Sequence, residues 1–110
     1  MARAVWNGAV IAESDSTRVV EGNHYFPPDS IDAAHLQPSD KETYCGWKGQ
    51  ASYYDIETGG DRLRNAAWYY PDPQPAAEAI TGYVAFARGV DIEDVERRGP
   101  LAAIGRLFRG

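Results

Sequence analysis

Residues 43–55 read TYCGWKGQASYYD, and the fold of the chain is decided there. Gly46 and Gly49 bracket Trp47-Lys48, which marks a bend between two extended runs. Before the bend, Lys41 to Cys45 reads as a strand. After it, Gln50 to Thr58 alternates with period two and is rich in β-forming residues. Gly59-Gly60-Asp61 turns the chain back, and Arg62 to Tyr70 is the antiparallel partner. Three successive strands in the middle of the chain make the fold mainly β, built from antiparallel sheets.

Outward from this centre the same grammar continues. RAVWNGAVIAE, residues 3–13, joins two short apolar runs through Asn7-Gly8, the pair suited to the two positive-φ sites of a type I′ turn. Thr17 to Glu21 is a third strand after a Ser14-Asp15-Ser16 turn, and Gly22-Asn23 breaks it before His24, Tyr25 and Phe26. Pro27-Pro28 excludes helix just ahead of itself. A short helical turn is expected beyond it, with Asp29 or Ser30 as N-cap and Pro38 as its end. Pro71, Pro73 and Pro75 stop the central strands, and Pro75 suits the first turn of a short helix over Ala76 to Ile80. Gly82 to Ala87 reads as a last core strand, and Val90 to Ile92 as an edge strand that could pair across a homodimer.

The totals narrow the function classes. A chain of 110 residues and one cysteine is expected to form one domain, over residues 1–95. No apolar run reaches the ~18–20 residues that span a bilayer, so stable membrane insertion is not expected. The N-terminus lacks a secretory h-region, and one unpaired cysteine suits a reducing compartment, so the expected address is cytoplasmic. The net charge of −5 argues against a nucleic-acid partner. Residues 96–110 differ from the rest: Arg97, Arg98, Arg106 and Arg109 stand against Glu96 alone. Leu101, Ile104, Leu107 and Phe108 recur there at helical spacing, so a basic amphipathic tail, helical or disordered, is expected.

Four segments carry a family likeness: HYFP (residues 24–27), TYCGWKGQASYYD, NAAWYYPDP (residues 65–73) and ITGYVAFARGVDI (residues 80–92). In this order they resemble domain-of-unknown-function family 427, small bacterial single-domain proteins. The resemblance implies a β-tent-like fold of small coiled antiparallel sheets with one or two short helices. That group also includes B-type methionine-sulfoxide reductases and the drug-binding domain of cereblon. Many of its members hold zinc through paired CxxC motifs, and a single cysteine here implies a version without zinc or other cofactor. The family motif usually has proline after the cysteine, where this chain has Gly46. A nucleotidyltransferase-like label attached to the family implies metal-dependent nucleotidyl transfer.

The residues themselves leave several chemistries open. Cys45 reads as a nucleophile if Lys48 or His24 lowers its pKa, or as a small buried hydrophobe. A single thiol cannot resolve its own sulfenic acid, which weighs against a reductase cycle without an external thiol. His24 reads as a general base, a ligand contact or a plain loop histidine. Asp55 and Glu57 share a strand face and could hold Mg²⁺, or could simply face solvent near a strand end. No GxxxxGK[ST] or GxGxxG loop is present to cradle phosphate. The rings of Tyr25, Trp47, Tyr53, Tyr54, Trp68 and Tyr70 are either core or the wall of one pocket. In the second case Lys48 and His24 would fix the polar group of a nucleotide-like or heterocyclic small molecule. A structural or interaction protein without a small-molecule site is the third reading.

Overall fold

The computed structural model describes residues 1–94, and the basic tail expected over residues 96–110 lies outside them. Among the described residues, nine strands form three antiparallel sheets. β1 (Ala2–Trp6), β2 (Ala9–Ser14) and β9 (Asp91–Asp94) make one, in the order β2-β1-β9. β3 (Arg18–Val20) and β4 (Asn23–Tyr25) make a two-stranded ribbon. β5 (Leu36–Cys45), β6 (Gly49–Thr58), β7 (Asp61–Tyr69) and β8 (Val84–Phe86) form the largest sheet in sequential order. Beyond β4 the chain joins this sheet, because Phe26 and Val84 exchange backbone hydrogen bonds of 2.8 and 2.9 Å.

Three two-residue turns share one geometry, with both central residues at positive φ as a type I′ turn demands. They are Asn7-Gly8 (53°, 79°), Glu21-Gly22 (54°, 81°) and Gly59-Gly60 (58°, 87°). The Asn7 amide also donates to Thr58 Oγ1 at 2.9 Å and Asp61 Oδ2 at 3.0 Å, locking the first turn to the third.

The helical segments are single 3₁₀ turns at Pro28–Ser30 and Ala33–His35, and a longer one over Pro75–Ile80. Asp32, rather than Asp29 or Ser30, supplies the cap, accepting the N–H of Ala34. Pro38 does not end a helix but lies within β5, which is an edge strand where a missing N–H is tolerated. Among the described residues no helix is long and apolar enough to cross a membrane.

Alternation along the central strands gives the large sheet two covered faces. One packs Ile56, Ala67, Val84, Phe86 and Phe26 against Ala2, Ala4, Ile11 and Ala12 of the N-terminal hairpin. The other packs Ala51, Ala85 and Tyr70 with Tyr25, Ala77 and Ile80. The expected edge strand is real and lies slightly later, at Asp91–Asp94 against β1. Its three carboxylates discourage pairing with a second copy.

Candidate functional site

The alternation that covers both faces also divides the aromatic clusters, which therefore do not meet in one pocket. Tyr25, Tyr53, Trp68 and Tyr70 lie on one face, whereas Phe26, Tyr54 and Tyr69 lie on the other. Tyr54 stacks on Tyr69 at 4.8 Å and belongs to the wall of the opposite core. Neighbouring residues of a strand point to opposite sides, so each cluster had to split.

On the Tyr25 face the rings interlock. Trp68 meets Tyr25 edge-on at 6.5 Å and Tyr53 at 6.3 Å, and its indole N–H donates to the Tyr25 hydroxyl at 3.1 Å. Tyr53 pairs through its hydroxyl with Thr43 Oγ1 at 3.0 Å, under the ammonium of Lys41 4.8 Å from the ring centre. The polar tips of Trp68, Tyr25 and Tyr53 thus pair with neighbouring side chains, which ties these rings into one wall.

Lys48 stands at the end of this wall, in the turn between β5 and β6. Its side chain is buried, and its ammonium lies 5.4 Å from the ring centres of both Trp47 and Tyr70. The turn is held from below, since Gln74 donates its N–H to the Lys48 carbonyl at 2.9 Å. The approach is close enough to require glycine next door. Gly49 has φ +109°, and a Cβ there would lie 3.3 Å from Gln74 N.

Glu21, at the tip of the β3–β4 turn, reaches across to this ammonium. Its Oε1 accepts from Lys48 Nζ, and its Oε2 accepts the Trp47 indole N–H at 3.3 Å. Burial is the largest single influence on the Lys48 pKa and pulls it down, but the Glu21 hydrogen bond and the surrounding charge interactions together outweigh it, and the net displacement is upward. Glu21 is held below the usual glutamate value, first by the Lys48 hydrogen bond and then by that of Trp47. Burial raises the Tyr70 pKa, with the charge of Lys48 opposing it. Lys48 is therefore a permanent cation within an aromatic enclosure, facing an exposed carboxylate.

The other candidates fall outside this arrangement. Cys45 is half-buried against the aromatic core, and no hydrogen bond joins it to His24 or Lys48 among the described residues. His24 faces the opposite way, with Nδ1 2.9 Å from Thr17 Oγ1 and Nε2 3.4 Å from Asp94 Oδ2. The structure does not bring a base to the thiol. Asp55 is buried rather than solvent-facing, and its Oδ1 accepts the N–H of Asn65 at 2.8 Å. Asn65 has φ +53° and sits in a bulge of β7, so Asp55 caps a backbone irregularity. Arg62 contacts both Asp55 and Glu57, which occupies the acidic pair with a cation of the protein's own. No cluster of three or more metal-ligating side chains occurs among the described residues.

Glu21 is not marked as a site residue by the sequence, because its position beside Trp47-Lys48 depends on how two hairpins meet. Its one local signal is the glycine that follows it. Two cavities that the sequence does not announce lie on other surfaces. One of about 440 Å³ is lined by His35, Glu57, Thr58, Gly59, Asp61 and Arg62 among others. The second, of about 140 Å³, is lined by Pro28, Ile31, Leu36, Tyr54 and Val84 among others.

No curated protein matches the chain. The model of a family described as a domain of unknown function (DUF427) matches residues 1–96, nearly the whole chain and all four quoted segments. The chain belongs to the DUF427 family.

Proposed function

We propose that this protein is a binding module for a small planar ligand, nucleotide-like or heterocyclic, held at the Trp47–Lys48 turn. The observation that carries this reading is Lys48, a residue only 5% exposed, whose ammonium lies 5.4 Å from the ring centres of both Trp47 and Tyr70. A buried cation is costly to keep, and a domain needing only stability would do better with an apolar side chain there. An ammonium retained against that cost, beside an aromatic surface, suits a ligand with a flat ring and a hydrogen-bond acceptor.

The roles divide by exposure. Tyr25, Tyr53, Trp68 and Tyr70 form the rigid rear wall. Trp47 is 42% exposed and presents its ring at the rim of the site, where a ligand ring can lie against it. Lys48 fixes the acceptor. A β-tent-like arrangement of the sheets, as in cereblon's drug-binding domain, fits this reading by analogy of fold alone. The enzyme readings have less support, because Cys45 lacks a base and Asp55 is committed to Asn65 and Arg62.

The test is mass spectrometry of small molecules released by denaturing the protein purified from its own cells. A species stoichiometric with the native protein and lost from Lys48→Met is the expected result. The reading fails if Lys48→Met, still folded by circular dichroism, carries the same species.

A further inference from the structure

Both oxygens of the Glu21 carboxylate are received by donors from two successive residues, Trp47 and Lys48. One donor is an ammonium and the other a neutral N–H, and the aromatic rings flank them. This donor set is complementary to a carboxylate as a chemical group, whichever molecule supplies it. Nothing in it is particular to glutamate.

Glu21 itself is placed as a removable occupant. Its side chain is 51% exposed while that of Lys48 is 7% exposed, so rotating Glu21 into solvent opens the buried ammonium from outside. Its backbone lies at φ +54°, a region that glutamate adopts unwillingly and asparagine or glycine readily. A turn designed only to reverse the chain would carry Asn-Gly, as this chain does at Asn7-Gly8. Glu21-Gly22 instead accepts backbone strain and delivers a carboxylate to a site 27 residues away.

We infer that Glu21 is a built-in competitor for the binding site, and that the ligands displacing it are small aromatic or heterocyclic carboxylates. The inference rests on the binding reading above and specifies its ligand class. The exchange replaces one ionised carboxylate with another. Lys48 stays protonated, Glu21 moves ionised into water, and the hydrogen bonds to Lys48 and Trp47 are kept in number. A carboxamide of the same shape fits poorly, since its NH₂ would face one of the two donors. A tethered competitor acts at an effective concentration of about millimolar or more, so weak carboxylates are excluded and only ligands with added ring contacts enter.

The experiment titrates benzoate and benzamide into the wild type, Glu21→Gln, Trp47→Phe and Lys48→Met, following by NMR the backbone N–H of Gly49 in every variant and the Trp47 indole N–H wherever it is present. Benzoate is expected to bind Glu21→Gln about tenfold more tightly than the wild type, because the tethered competitor has been weakened. Trp47→Phe, a change at an exposed side chain, is expected to weaken benzoate several-fold by removing one donor, and Lys48→Met to abolish binding. Equal benzoate affinity in wild type and Glu21→Gln overturns the competitor role, and benzamide binding as well as benzoate overturns the ligand class. A co-purifying ligand that depends on Lys48 but has no carboxylate would overturn this inference and leave the binding reading standing. Undiminished benzoate binding in both Lys48→Met and Trp47→Phe sinks the two together.

Discussion

The indole N–H of Trp68 donates to the hydroxyl of Tyr25 at 3.1 Å, with the two rings at 83° to each other. Tyr25 is fully buried, so this bond joins the β3–β4 ribbon to the central sheet where water cannot replace it. Tyr25→Phe removes the acceptor and strands the indole N–H. The expected cost is about 1–3 kcal/mol in urea unfolding. A loss below a few tenths of a kcal/mol would mean that the wall is not held by this bond.

The two glycines around Trp47-Lys48 are predicted to behave differently. Gly49→Ala forces a Cβ at φ +109° against Gln74 N and Pro73 Cα, and is expected to destabilise by about 1–3 kcal/mol. Gly46 is outside the positive-φ region and has open space around a built Cβ. Gly46→Ala is therefore expected to be neutral or to stabilise by up to about 1 kcal/mol, through the unfolded chain. Thermal unfolding of the two variants distinguishes them, and equal losses would contradict the clamped turn.

Asp55 offers a test that separates structure from metal chemistry. Asp55→Ala leaves the Asn65 N–H and the Arg62 guanidinium without their carboxylate, at a cost of about 1–3 kcal/mol. Mg²⁺ or Mn²⁺ is expected to leave the thermal midpoints of both the wild type and Asp55→Asn unchanged. A midpoint raised by metal in the wild type alone would show that Asp55 serves an ion after all.

These cases show which parts of the molecule were legible in the residues. Asn7-Gly8 and Gly59-Gly60 announce their turns because Asn and Gly tolerate positive φ, and the flanking alternation places the strands. The third such turn was read one residue late, as Gly22-Asn23, because glutamate at φ +54° violates that preference. The Trp47-Lys48 bend was legible from its two glycines. The partition of rings was only half legible: alternation separates Tyr53 from Tyr54, but which face meets which sheet depends on long-range packing. Glu21 beside Lys48 and Asp55 beneath Asn65 were not legible, since the first depends on how two hairpins meet and the second on a bulge in β7.

The ion pair also fixes a pH dependence. Glu21 has a folded pKa below its ordinary value of 4.5, so folding favours its ionised form. That stabilisation is present above about pH 4.5 and is lost as the pH falls through the lower folded value. Lys48 is displaced upward, so its share is complete below its ordinary value of 10.5 and lost as the pH rises through the higher folded value. Glu21→Gln is predicted to flatten the acid limb of stability between about pH 5 and pH 3. Urea unfolding at stepped pH checks this, and parallel acid limbs would contradict it.

The point at which a ligand touches the protein decides most directly whether the Trp47–Lys48 turn is a binding site. The chain has three tryptophans, Trp6, Trp47 and Trp68, and so three indole N–H signals for NMR. ¹⁵N-labelled protein, freed of bound molecules, is titrated with a low-molecular-weight extract of the cells it comes from. A ligand at the Trp47–Lys48 turn moves the Trp47 signal, leaves Trp6 in the N-terminal sheet unmoved, and has no effect on Trp47 in Lys48→Met. Movement of Trp6 alone, or a Trp47 shift that survives Lys48→Met, would contradict the assignment of the site.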